Sequence, residues 1–140
     1  PEEMVAAVER DLEEVWTEGN LDVIDELYAE DCTVYGPEAG EAIHGCEAMK
    51  EAVGKAREAF PDLEIWMEDS VAADDKIAVR YTWTGTNEGP LPNGTPATGE
   101  PVTVSGLGFA RFEGDRFAEL HFYSDFESMM GQLGLMPESM

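Results

Sequence analysis

The chain has 140 residues, with 31 acidic against 8 basic side chains and a formal charge of −23. That length suits one domain with one core, residues 1–140. The charge repels nucleic acid and anionic lipid, so neither is an expected partner. Because 43% of the residues are hydrophobic, the acids must decorate a folded domain rather than mark disorder. Only Lys50, Lys55 and Lys76 supply lysine, against five arginines. Such a surface fits a salt-loving organism, where a Debye length of ~3 Å at molar salt screens the self-repulsion. It also fits an ordinary acidic cytosolic protein. No internal repeat occurs, and no apolar run approaches the ~20 residues that span a bilayer. The opening PEEMVAAVERDLEEVW lacks the basic flank and uniform apolar stretch of a signal peptide. The expected compartment is cytoplasmic.

Taken in order, residues 4–17 read as a helix. Val5, Val8, Leu12 and Val15 form its apolar face, and Glu9, Asp11 and Glu13 fall on the opposite one. Gly19-Asn20 stops it. Residues 21–28 form a shorter helix with Ile24, Leu27 and Tyr28 on one side. A strand covers 32–35 and ends at Gly36-Pro37. A third helix covers 47–60, with Met49, Val53, Ala56 and Phe60 inward, and Pro61 stops it. The pattern then changes to period two, with strands over 63–73, 76–86, 102–113 and 117–125 and turns at Asp74-Asp75 and Gly114-Asp115. One long connection, residues 87–101, carries Pro90, Pro92, Pro96 and Pro101 and three glycines. A loop of this length is either a functional lid or a surface excursion between adjacent strands. Cys32 and Cys46 flank the first strand; two cysteines in an unsecreted chain are usually free and buried, although a disulfide is possible. No His/Cys cluster has metal-ligand spacing, and no cofactor is expected.

Helices first and strands after define an α+β class. A curved antiparallel sheet would wrap around the N-terminal helices to form a cone, a cystatin-like α+β barrel. The space between sheet and helices is a natural small-molecule cavity.

The segment VWTEGNLDVIDELYAEDCTVYGP is similar to the opening of many members of the nuclear-transport-factor-2-like superfamily, which includes ketosteroid isomerases and SnoaL-like cyclases. The phrases IHGCEAMKEAV, AFPDLEI and YTWTGTNEG, then PATGEPVTV, the FEGDRFAE turn and Asp125 followed by Gln132-Leu133-Gly134, resemble the SnoaL-like polyketide cyclase pattern over nearly the whole chain. The resemblance implies that strands 102–113 and 117–125 line a ligand pocket. It also exposes departures. The cyclases' acid, three positions before the one matched by Asp125, is Phe122 here. Their assisting His falls on Gly108, a neighbouring polar position on Gly106, and their first-strand Asn near Val34. The ketosteroid isomerases' base falls on Gly36, before Pro37, and their helix-one Tyr on Leu12. Neither Phe nor Gly can take a proton, so neither catalytic set carries over.

Alternation puts Leu120 and Phe122 on one face of their strand and His121, Tyr123 and Asp125 on the other. If Phe122 faces the cone, His121 and Tyr123 sit in a subunit interface, unless strand twist returns Asp125 to the pocket mouth, where it could act as base or orient His121. Asp125 and His121 are the candidate catalytic pair. Arg80 stands in an apolar stretch and would need an acid partner such as Asp125 or Glu119, or a ligand; Arg111 is ambiguous in the same way. Trp16, Tyr28, Tyr35 and Trp66 are aromatics near the helix–sheet seam that could line a ligand pocket, with core packing as the alternative for each; Trp83 is a further candidate ligand-binding residue. Gly106, Gly108 and Ala110 alternate on one face, which either keeps room for a ligand or accommodates a large side chain such as Phe122. His44 could cap the third helix, reach the pocket or stay in solvent.

Two functions stay open. One is a SnoaL-like, cofactor-independent enzyme acting on a small apolar carbonyl compound by acid–base chemistry. The other is a non-catalytic ligand-binding or dimerisation module that has lost the family's catalytic residues. An ionisable group with a perturbed pKa inside a closed pocket would discriminate between them. A homodimer through the outer sheet face is expected, because Leu107 and Phe109 oppose Val104 and Phe112 across the strand and both faces of the sheet need cover.

Overall fold

The N-terminal amphipathic stretch, the period-two strands and the Gly- and Asp-containing turns assemble as one helix layer against one sheet. The computed structural model describes residues 2–36, 42–91 and 94–135; Pro37 and Pro92 lie outside them. In order the elements are α1 (Glu2–Arg10), a π-helical segment (Asp11–Thr17), α2 (Asp22–Leu27), β1 (Tyr28–Tyr35), β2 (Ile43–His44), α3 (Gly45–Ala59), β3 (Glu64–Ala73), β4 (Lys76–Thr86), β5 (Pro101–Glu113), β6 (Arg116–Ser124) and α4 (Phe126–Gln132). The sheet order is β2-β1-β6-β5-β4-β3. The pair β1–β6 is parallel and the remaining pairs are antiparallel.

Three boundaries differ from the sequence expectation, each for a local reason. The first helix changes from α to π winding at Asp11, and the amides of Glu18 and Asn20 reach back to Glu13 and Glu14. Arg57 of α3 closes that widened end by donating to the Trp16 and Thr17 carbonyls at 2.8 and 2.7 Å. Tyr28 opens β1 rather than closing α2, because its backbone is already extended at φ −107, ψ 138. The two-residue β2 is too short to leave a period in the sequence.

The core has two parts. Met4, Val8, Leu12 and Val15 from the first helix pack with Ile24, Tyr28, Val34, Met49, Val53 and the inner face of β4–β6. A second cluster joins Ala59, Phe60, Leu63, Leu91, Val102, Val104, Met129 and Leu133. The long connection after β4 belongs to this second cluster. Asn87 is wholly buried. Its amide donates to the carbonyls of Ala59 and Gly89, and its Oδ1 accepts from the Thr98 N–H and hydroxyl. A Cβ on Gly89 would stand 2.1 Å from the Glu58 carbonyl oxygen, so only glycine lets the loop lie against α3. The described part of this segment is thus a packed excursion rather than a lid.

Both cysteines are free; Cys32 is buried and Cys46 half-buried. Burial pushes the Cys32 thiol up to about 12, which leaves it unreactive while the core stays closed. No helix among the described residues is long and apolar enough to cross a membrane.

Candidate functional site

The sheet has a packed inner face and an exposed outer one. On β4, Ile77, Val79 and Tyr81 are buried while Arg80 is exposed. On β5, Val104, Gly108, Ala110 and Phe112 point inward, and Leu107 (57%) and Phe109 (37%) remain open to solvent on the other side. On β6, Leu120 and Phe122 pack toward the helices, and Tyr123 is 61% exposed. Leu107, Phe109 and Arg111 therefore lie on the outer face, as the alternation requires.

A cavity of about 20 Å³ lies between the first helix and β4–β6. It has room for roughly one water. Val8 and Leu12 form the helix wall, with Ile77, Val79, Leu120 and Phe122 from the sheet; Asp11 and Tyr81 are the polar side chains among its lining residues. Phe122 faces this space, with Gly108 opposite it in the β5–β6 ladder. Its ring makes edge contacts with Trp16 at 6.0 Å and with Tyr81 at 6.3 Å. The glycines of β5 serve packing more than vacancy. A Cβ on Gly106 would stand 2.5 Å from Cζ and Oη of Tyr81, and one on Gly108 would stand 3.1 Å from Cγ2 of Val79. The large side chain that Gly106 accommodates is thus Tyr81 rather than Phe122. The Tyr81 hydroxyl pairs with Ser124 Oγ at 2.7 Å, where either atom can donate. Burial raises the Tyr81 pKa and the Ser124 bond opposes that rise.

The other expected site residues lie away from the cavity. Asp125 is exposed and caps α4 by accepting from the Ser128 amide at 3.0 Å. His121 is on the outer face, where its Nε2 is 2.7 Å from Glu119 Oε2 and its ring stacks on Tyr35 at 4.5 Å and 14°. That contact is the first cause of the lowered Glu119 pKa, with Arg111 adding to it. Arg80 pairs across the ladder with Asp69 and Leu107 in register, and no ion pair to it is formed among the described residues. The apolar stretch around it is the exposed outer face, so it needs no buried acid partner. Arg111 pairs with Glu113 at 3.3 Å and Glu119 at 3.6 Å. Trp66 is 41% exposed, with its indole N–H bonded to Glu68. Trp83 faces inward but packs on Phe60 in the second cluster, 5.0 Å between centroids. His44 is exposed, makes no capping bond to α3, and has Nδ1 3.4 Å from Thr33 Oγ1. Of the expected set, only Gly108 and Phe122 line the cavity and Trp16 abuts it.

The group that sequence reading missed is Asp11. It is 2% exposed and lines the cavity from the helix wall. Tyr28 donates to its Oδ1 at 2.9 Å. Burial raises its pKa from the ordinary 3.8 to about 7, against the pull of two donors, the Tyr28 hydroxyl and the Trp16 indole. The indole N–H stands close enough to oppose the shift but does not reach hydrogen-bond geometry. Among the described residues it is the buried side-chain donor without a partner. Tyr28 itself is pushed well above its usual value, first by burial and then by the Asp11 charge, so it stays a proton donor. The signal was present in the sequence: Asp11 lies three residues after Val8 and four before Val15, on the same helical stripe. Among the described residues, no group of His, Cys, Asp and Glu is arranged to hold a metal ion.

The SnoaL-like polyketide cyclase family model matches residues 6–133, and the chain belongs to that family. No curated protein matches it in sequence. Among solved structures, a candidate SnoaL-like polyketide cyclase from Jannaschia sp. CCS1 superposes with a TM-score of 0.87 at 24% identity, covering 97% of this chain and 94% of that one. IdmH, a candidate polyketide cyclase from Streptomyces antibioticus, gives 0.77 at 28% identity over 96% and 98% of the two chains. A protein with a ketosteroid isomerase-like fold from Catenulispora acidiphila, solved with trimethylamine, gives 0.77 at 20% identity over 95% and 93%. The first and last share the fold; IdmH adds a family likeness in sequence.

Proposed function

We propose that this chain binds a small, largely apolar carbonyl compound between its helices and sheet and acts on it by acid–base chemistry, with no cofactor required for the proton movements. The observation that carries this reading is a small, partly enclosed apolar cavity lined by Asp11, whose carboxyl burial raises to a pKa of about 7. A pure binding module has no use for such a group, because burying a carboxyl with few partners costs stability. The family's cyclase chemistry does not transfer with the fold. Phe122, Gly108, Gly106 and Val34 stand where the resembling cyclases keep polar groups, so their aldol substrates should not be turned over.

Entry requires a side chain to move, because the cavity admits only about one water. Phe122 is half-buried, lines the cavity and packs edge-on against Trp16 and Tyr81. Its rotation would open apolar room, and binding would then gain ~25 cal/mol per Å² of apolar surface covered. The test is a titration with 1-indanone, read by tryptophan emission and melting temperature. Binding should be detectable in the wild type and tighter in Phe122→Ala. Unchanged emission and melting in both proteins at millimolar ketone would sink the reading.

The outer face supports a homodimer. It exposes Trp66, Leu107, Phe109 and Tyr123, and it carries Lys76, Arg80 and Arg111 in a chain with few cations. These cations offset acids of the same face, as Arg111 does for Glu113 and Glu119, which lowers the repulsion between two copies that meet there. Sedimentation in high salt should give a dimer, and Leu107→Asp a monomer.

A further inference from the structure

We propose that Asp11 is the proton-transfer group of this cavity, with the Tyr81 hydroxyl on the facing wall as the donor to the substrate's carbonyl oxygen. This rests on the reading above and assigns its chemistry to positions other than those matched by the cyclases' catalytic groups.

The geometry separates Asp11 from a structural carboxyl. Its Oδ1 takes one bond, from Tyr28. Among the described residues no second hydrogen bond engages the carboxyl, and the remaining donor nearby, Trp16 Nε1, is unpaired. A buried polar group kept for stability is normally saturated with partners. This one has an oxygen to spare and lines the cavity. Tyr28 is locked by an edge contact with Phe117, 5.1 Å between centroids, and so orients the carboxyl; it is a positioning residue. The π-helical winding begins at Asp11 itself, and such segments recur at functional sites. Tyr81 lines the sheet wall that faces the first helix, and its Oη bonds Ser124 Oγ. When Ser124 donates, the tyrosine proton is free for a ligand oxygen.

An enolisable ketone with an apolar body fits these two groups. The Asp11 carboxylate takes the proton from the carbon next to the carbonyl. The C–H electron pair becomes the C=C bond of an enolate, and the carbonyl π pair moves onto oxygen, where Tyr81 donates a hydrogen bond. The carboxylic acid then returns the proton to the same carbon or to a conjugated one. Nothing is oxidised or reduced. A carboxyl held at about 7 populates both forms at neutral pH, which suits a group that takes and returns one proton.

The probe is 2-indanone in D₂O, with loss of its α-proton signal followed by NMR. The wild type, or Phe122→Ala if space limits the rate, should exchange protons faster than the buffer alone. Its rate should rise with pH to a plateau with an inflection near 7. Asp11→Asn should lose on the order of 100-fold in exchange while still binding the ketone by tryptophan emission. Tyr28→Phe should keep exchange and move the inflection upward, because a bond to the charged form is lost. Asp11→Asn exchanging as fast as its parent, or a wild-type profile without an inflection, would overturn the assignment of Asp11 and leave the binding reading standing. Binding without exchange above the buffer rate in any protein would also overturn it. Absence of binding in all of them would remove the binding reading and this assignment together.

Discussion

Among the described residues, the two buried polar side chains are Asn87 and Asp11, and the molecule treats them in opposite ways. Asn87 sits where the long connection meets α3 and uses its whole amide: two donated bonds and two accepted. Asp11 sits where the π-helical segment meets the cavity and receives one. The first arrangement is what stability demands of a buried amide. The second leaves desolvation uncompensated, and the raised pKa is the sign of it. The contrast separates a residue that holds the fold from one that the fold must tolerate.

The sharpest way to break this contrast is pH. Folding raises the Asp11 pKa from 3.8 to about 7, so between those values the native state holds a proton that the unfolded chain has released. The contribution is fully present below about pH 4 and is lost as pH rises to about 7. At ~1.4 kcal/mol per unit the total is on the order of 4 kcal/mol. Asp11→Asn should therefore be more stable than wild type by roughly that amount above pH 7 and gain little near pH 4. Urea unfolding at both ends of the range checks it, and an advantage independent of pH would contradict the burial argument. Asn87→Ala is the counterpart. It strands the Thr98 amide and leaves the Gly89 carbonyl without the Asn87 donor, while the Ala59 carbonyl keeps the Glu88 and Gly89 amides, so a loss of about 3 kcal/mol is expected, the same at both pH values. A pH-dependent loss would mean the two sites are coupled.

Two smaller effects sharpen the picture. Trp16→Phe removes the unpaired indole donor and should push the Asp11 inflection further up, with a stability change within about 1 kcal/mol; a downward move would show that the indole does not favour the charged carboxylate. Salt should act on both regions alike. With a formal charge of −23, screening should raise the melting temperature between low and molar salt by the same increment in wild type, Asp11→Asn and Asn87→Ala. A flat response would argue against a salt-adapted surface.

Most of the fold was legible because long strands leave a clear period. The turns at Asp74-Asp75 and Gly114-Asp115 and the inward set of β5 follow directly from alternation. The site was legible only in part. Alternation sorted Phe122 from His121, and the family resemblance said which of the two faces the cone. Trp66 and Arg80 stayed ambiguous because an apolar neighbourhood in sequence says nothing about which side of the sheet is covered, and His44 took the solvent position among the three left open for it. Asp11 was missed for a different reason. In a chain this acidic an aspartate reads as surface, and helical spacing places it as close to the apolar stripe as to the charged one. The π winding that begins at Asp11 leaves no mark in the residue pattern, so the spacing from Val8 and Val15 was the one sign of burial.

The parallel pairing of β1 with β6 carries a consequence for how the molecule is made. Until residues 116–124 have been synthesised, β1 has only the two residues of β2 to bond with. The strand that completes the sheet therefore arrives some eighty residues after its neighbour, and closing that span costs entropy before any burial repays it. A nascent chain spends that interval with the β6-facing edge of β1 unpaired. The vulnerable species is thus a late, nearly full-length intermediate, and chaperone dependence or aggregation should concentrate on chains cut short before β6.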